Sequence, residues 1–290
     1  MTMVKDDGWR HRRWTSADGL TLHARDYAAA EGAARLPVIC LHGLTRNARD
    51  FDRLAPWIAA RQRRVLAVDI RGRGLSDRDP AAAYWLSTYA DDVRRLAASL
   101  GVAEAIFVGT SMGGLITMEL AADAPALVAG AIINDVGPVL AAEGLARIGA
   151  YVGNAPAFAG WDEAAEYLRD QNQAALPHYG AADWRAMAER MFRAADGRIV
   201  ADYDPGIAAA FSTGPLPADP WDRWHNLASN RPLLLLRGGL SDLLTAGDAT
   251  RMITAHPNAL LREVPNVGHA PMLDEPEALA AIGPFLDDLP

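Results

Sequence analysis

Gly109-Thr110-Ser111-Met112-Gly113-Gly114 stands between an apolar run at 105–108 and a second apolar stretch at 113–122. The first run has the length and composition of a buried strand, and the second those of a helix. A serine at such a junction must sit on a tight strand-to-helix turn. Side chains at positions 109 and 113 would collide with the strand or the helix there, and glycine removes both collisions. The helix N-terminus then supplies unpaired N–H groups and a favourable dipole beside any negative charge that develops next to the serine. With eight serines and 25 glycines in the chain, a Gly-x-Ser-x-Gly match arises by chance only about 0.06 times. Ser111 is therefore read as a nucleophile.

A serine hydroxyl needs a base, and the chain has seven histidines. His11 and His23 fall in an opening hairpin, His178 and His225 in a central segment without strands, and His256 at a helix end. His42 follows a strand and is assigned to bonding its own turn. His269, in Pro265-Asn266-Val267-Gly268-His269-Ala270-Pro271, follows the last strand and is the expected base. Two carboxylates compete to orient it. Asp135 ends the strand after the serine's helix. Asp242 follows a later strand through Gly238-Gly239-Leu240-Ser241. The chain order Ser, Asp, His favours Asp242. The backbone N–H groups of Leu44, after Leu41-His42-Gly43, and of Met112 are the expected oxyanion donors.

Outward from this centre, strands and helices alternate. Strands are expected at 9–14, 20–27, 37–41, 65–69, 105–108, 128–134, 233–237 and 260–264. Helices are expected at 49–61, 89–100, 113–122, 245–255 and 276–289. Such alternation implies an α/β fold with a mostly parallel sheet and helices on both faces. It lapses between 137 and 230, where helix-like pieces at 162–174 and 183–195 stand among loops, with Asp162 and Asp183 at expected N-caps. The chain thus divides into a core, 1–136 and 231–290, and a helical cap, 137–230. The cap leaves from the carboxyl edge of the sheet and is placed to roof the site. Its Phe158, Trp161, Tyr167, Trp184, Met187, Met191, Phe192, Phe211, Trp221 and Trp224 suggest an apolar pocket. Trp184, Met187 and Met191 share a helix face that is expected to pack cap on core.

Half of the 290 residues are hydrophobic and the formal charge is −8. That composition suits a globular protein, and the acidic balance argues against a nucleic-acid partner. Cys40 is the only cysteine; it lies in an apolar run and reads as a small buried hydrophobe. No Cys/His set has zinc spacing. The charged opening with Lys5, Asp6 and Asp7 does not read as a secretory leader. No run approaches the about 18 apolar residues of a membrane span. The expectation is a cytoplasmic protein without membrane association, metal or organic cofactor; its oligomeric state is not legible.

Taken together, Leu41-His42-Gly43, Asp69-Ile70-Arg71-Gly72-Arg73-Gly74-Leu75-Ser76, the turn at Ser111, Gly239-Leu240-Ser241-Asp242 and Val267-Gly268-His269 resemble the α/β-hydrolase superfamily along nearly the whole chain. The resemblance implies an eight-stranded core, a helical cap between the sixth and seventh strands, and a structural role for the 71–76 loop. Ser111 stands where epoxide hydrolases and haloalkane dehalogenases carry an acid. Thr110 and Ala270 stand where hydrolases of ring-cleavage products often carry Asn and Trp. The resemblance thus implies an esterase or lactonase with a Ser111–His269–Asp242 triad acting on a small apolar ester or lactone. Carbon–carbon hydrolysis of a vinylogous diketone, cofactor-free peracid formation, and a ligand receptor with little turnover are the alternatives. As a hydrolase, its rate should rise with pH as the base loses its proton.

Overall fold

The computed structural model describes residues 8–32, 35–209, 219–228, 231–256 and 258–290. Lys5, Asp6, Asp7, Phe211 and the expected cap boundary at Asn230 lie outside the described residues. Eight strands form one sheet: β1 (Arg10–Thr15), β2 (Thr21–Tyr27), β3 (Val38–Leu41), β4 (Val65–Asp69), β5 (Ala105–Thr110), β6 (Val128–Asn134), β9 (Leu233–Gly238) and β10 (Ala259–Val264). Their order is β1-β2-β4-β3-β5-β6-β9-β10. β1 and β2 pair antiparallel, as do β2 and β4. Every later pairing is parallel. The eight-stranded, mostly parallel sheet is the one expected.

The central strands are buried on both faces, which explains their unbroken apolar runs. Alternate residues of β3 feed different cores. Ile39 and Leu41 join the cluster on one face, Val38 and Cys40 the cluster on the other. Cys40 is fully buried, and burial pushes its thiol pKa up. This is the inert small hydrophobe read from the sequence.

Helices α1 (Leu54–Ala59), α2 (Leu86–Ser99), α3 (Met112–Asp123), α8 (Ala246–Ala255) and α9 (Pro276–Asp287) cover the sheet. The helix expected at 49–61 is broken into a 3-10 turn, Ala48–Phe51, and the short α1. Pro56 explains the break: lacking an N–H, it is tolerated only within a first helical turn, so the α-helix begins just before it. At the other end of the chain, buried Arg63 donates to the carbonyls of Leu286, Leu289 and Pro290 at 2.7, 2.6 and 2.7 Å. It thereby satisfies acceptors that the end of α9 leaves open.

Between β6 and β9 the described residues form α4 (Ala142–Tyr151), α5 (Trp161–Asn172), α6 (Ala181–Met191), a hairpin of β7 (Phe192–Ala195) and β8 (Arg198–Ala201), and α7 (Pro220–Ala228). The hairpin corrects the helix expected at 183–195. Asp196 and Gly197 both have positive φ, 49° and 73°. That is the turn an Asp-Gly pair makes between strands, and it overrides the helical periodicity. The two expected N-caps are also displaced. Gly160 caps α5 and Gly180 caps α6. Asp162 and Asp183 lie inside the first turns, where a carboxylate favours the helix dipole. Asp183 reaches back to accept from the Gly180 N–H at 2.9 Å.

Candidate active site

Ser111 stands between β5 and α3 with φ 52° and ψ −116°, a backbone that few L-residues adopt. Its two flanking glycines make that turn feasible. A Cβ on Gly109 would lie 2.5 Å from the Gly113 carbonyl carbon, and one on Gly113 would lie 2.0 Å from the Leu41 carbonyl oxygen. The Ser111 N–H donates to the Asn134 carbonyl at 2.9 Å, which ties the turn to the end of β6. The side chain therefore projects at the carboxyl edge of the sheet.

His269 reaches that serine from the loop after β10. Its Nε2 is 3.0 Å from Ser111 Oγ, and its Nδ1 is 2.8 Å from Asp135 Oδ2. Asp135 is fully buried. Its Oδ1 accepts from the Gly238 N–H at 2.8 Å, and its Oδ2 from the Ser241 hydroxyl at 2.6 Å. With His269 these donors fix the carboxylate in one orientation, and they offset the cost of burying it.

The structure thus corrects the expectation that Asp242 orients His269. Asp242 pairs instead with Arg147 of α4: its carboxylate accepts from Nε, and from Nη2 at 2.8 Å. Those hydrogen bonds hold its pKa below the usual carboxylate value. The physical reason is topological. β6 lies beside β5, and the Asp135 N–H continues the ladder onto the Leu236 carbonyl at 2.8 Å, so Asp135 emerges next to the serine's strand. Asp242 comes four residues after β9 ends, and its carbonyl is taken by the Gly144 N–H of α4 at 3.1 Å. The order Ser, Asp, His holds for either carboxylate and cannot separate them. Ser241, which the sequence placed only within a motif, supplies the hydroxyl that braces Asp135.

The turn after β3 lies against the serine, since a Cβ on Gly43 would be 3.7 Å from Ser111 Cβ. His42 holds this turn, as expected. Its Nδ1 is 2.7 Å from the Gly43 carbonyl, and its Nε2 accepts from the Ile70 N–H at 3.1 Å. Such a bridge requires a neutral imidazole, and burial lowers the His42 pKa to about 4. The Gly43 carbonyl and the Leu44 N–H share one peptide plane, so fixing the first orients the second. Arg73, buried in the 71–76 loop, donates to the Leu44 carbonyl at 3.0 Å and approaches Met112 Sδ at 3.6 Å. Met112 is the first residue of α3, where an N–H has no intrahelical partner.

A cavity opens over Ser111 and His269. Tyr167, Met187, Met191 and Phe192 of the inserted segment line it. Trp184 packs on Tyr179 instead, and Phe158 on Tyr167 and Phe192. Trp221 and Trp224 belong to the core; the Trp224 indole donates to the Met252 carbonyl at 3.2 Å. Four of the expected apolar residues thus line the cavity, whereas Phe158, Trp161, Trp184, Trp221 and Trp224 do not. Its polar complement, Arg46, Arg147 and Tyr151, escaped sequence reading, because no local pattern marks these residues as neighbours. Among the described residues no group of three or more His, Cys, Asp or Glu is placed to hold a metal ion, and no helix is long and apolar enough to cross a membrane.

A model of the alpha/beta hydrolase family matches residues 38–282. The chain belongs to this family. An alpha/beta hydrolase from Novosphingobium aromaticivorans superposes with a TM-score of 0.91 at 44% identity, over 97% of this chain and 98% of that one. A 3-hydroxybutyrate-oligomer hydrolase of Cupriavidus necator is 34% identical over 257 residues, 86% of this chain and 87% of that protein. A 2-(acetamidomethylene)succinate hydrolase of Mesorhizobium japonicum is 29% identical over 270 residues, 92% of each. These relatives support hydrolase function as the general activity.

Proposed function

We propose that this hydrolase cleaves a carboxylic ester or lactone through an acyl-enzyme on Ser111. The observation that carries the reading is the continuous relay from buried Asp135 through His269 to Ser111. His269 Nε2 takes the hydroxyl proton as Oγ attacks the carbonyl carbon. Asp135 holds the imidazole in the tautomer with Nδ1 protonated and stabilises the imidazolium. The carbonyl oxygen becomes an oxyanion between the Leu44 and Met112 N–H groups, each worth about 2.7–4 kcal/mol of barrier. Collapse expels the alcohol, which receives the proton from His269. Water, activated by the same base, then releases the acid. The relay requires no metal or organic cofactor. Within 137–230, α4, α5 and α6 act as the cap, because they supply part of the cavity wall above the serine. The oligomer hydrolase from Cupriavidus necator, whose name denotes cleavage of hydroxyacid oligomers, favours an ester over a carbon–carbon bond.

The test is release of p-nitrophenol from short p-nitrophenyl esters by the wild type and Ser111→Ala, with mass spectrometry of the trapped acyl-enzyme. Turnover lost in the variant and acyl mass on the Ser111 peptide are expected. Folded wild type that turns over no ester or lactone would contradict the proposal.

A further inference from the structure

The cavity above Ser111 has apolar lining and, besides it, two arginines, each paired with a carboxylate. Arg46 lies just past the turn at Gly43, and a Cβ on Gly43 would touch its Cγ at 3.5 Å. Arg147 and Tyr151 are one helical turn apart on α4, and all three residues line the cavity with Ser111 and His269. The two arginines are held in the same way. Asp50 accepts from Arg46 Nε and Nη2, both at 2.7 Å, and Asp242 accepts from Arg147 Nε and Nη2. A guanidinium has five N–H donors, and a fork on Nε and Nη2 leaves both hydrogens of Nη1 over; Arg147 also hydrogen-bonds the Tyr151 hydroxyl oxygen, which leaves the phenol O–H as a donor. For Arg46, the neighbour of Nη1 is the Met191 thioether at 2.9 Å, a weak acceptor that also lines the cavity. The Arg46 side chain is only 13% exposed, so water does little for that nitrogen. The Tyr151 hydroxyl lies within electrostatic reach of both guanidiniums, which oppose the rise that burial gives its pKa.

Two clamped guanidiniums and a phenol that line one cavity form a preorganised set of donors. Rigid placement by Asp50 and Asp242 means little side-chain entropy remains to be lost on binding. The same carboxylates offset the positive charge, so the set recognises an anion through directed hydrogen bonds more than through net field. We propose that the cleft takes an ester bearing a free carboxylate, which accepts hydrogen bonds from Nη1 of Arg147, Nη1 of Arg46 and the Tyr151 hydroxyl. The inference rests on the esterase reading and names its substrate class: an acid–ester with a short apolar chain, whose carboxylate is anchored at the two arginines while its ester carbonyl meets Ser111. Arg46, Arg147 and Tyr151 are specificity residues in this account; they take no part in the proton relay.

Two matched pairs of esters test it. p-Nitrophenyl hydrogen adipate against p-nitrophenyl hexanoate places the charge on the acyl side. 3-Acetoxybutyrate against its methyl ester places it on the alcohol side. The readout is the ratio of kcat/KM, free acid over neutral, in the wild type, Arg147→Gln and Tyr151→Phe. The ratio cancels any general loss of activity. A wild-type preference for the acid in at least one pair is expected, falling about tenfold or more in Arg147→Gln and less in Tyr151→Phe, as the loss of a hydrogen bond to a charged group implies. Should Arg147→Gln fail to fold, Tyr151→Phe carries the test alone. No preference in either pair, or a preference unchanged in both variants, overturns the proposal. A folded wild type that hydrolyses none of the four esters would instead remove the esterase reading on which it rests.

Discussion

Asp135 and Asp242 are the same residue type, both follow strands at the carboxyl edge of one sheet, and both fall between Ser111 and His269 in the chain. Their surroundings differ entirely. Asp135 is fully buried and faces neutral donors, a backbone N–H and a hydroxyl, besides His269. Asp242 is partly exposed and faces a guanidinium. A carboxylate already neutralised by an arginine has little to offer a developing imidazolium. One held by neutral dipoles keeps its whole charge for that purpose. The adjacency of β5 and β6 decides which carboxylate does which work.

The largest expected contrast is catalytic. Asp135→Asn should lower kcat on a neutral p-nitrophenyl ester by about 10³–10⁴-fold, since the imidazole then loses its orienting acceptor. Asp242→Asn should lower it by less than about tenfold. Comparable losses in the two variants would erase the distinction. Ser241→Ala sharpens it: Asp135 keeps its place but loses one donor, so kcat should drop by about tenfold with KM little changed. An unchanged kcat would show that the hydroxyl is dispensable.

The smallest effect is on stability. The Arg147–Asp242 pair ties α4 to the loop after β9, and being partly exposed it contributes about 1 kcal/mol or less. Arg147 lowers the Asp242 pKa from 3.8. A carboxyl with a depressed folded pKa contributes stability above its unfolded value and loses it as pH falls through the folded one. The cost of Asp242→Asn in urea unfolding should therefore be present at pH 7 and shrink as pH is taken below 3.8. A cost that is constant across that range would mean the pair does not carry the charge interaction described.

The sequence was most legible where one physical cause dominates. β3, β4 and β9 are short apolar runs because both faces of the sheet are covered, and all three were visible. Gly109 and Gly113 announced the turn at Ser111 because no side chain fits there. The hairpin at Asp196-Gly197 is also written in the chain, but the helical spacing of Trp184, Met187 and Met191 masks it, and the helix ends at Met191, four residues before the expected 195. The triad acid was not legible, because chain order admits both carboxylates and only strand neighbourhood separates them. Arg46 and Arg147 lie 101 residues apart, and nothing local to either shows that they share a cavity.

The central claim is that His269 bonds to Asp135. The low-field proton NMR resonance of the His269 Nδ1–H reports that hydrogen bond directly. It should persist in Asp242→Asn and vanish in Asp135→Asn. A resonance that survives in Asp135→Asn and disappears in Asp242→Asn would contradict the account.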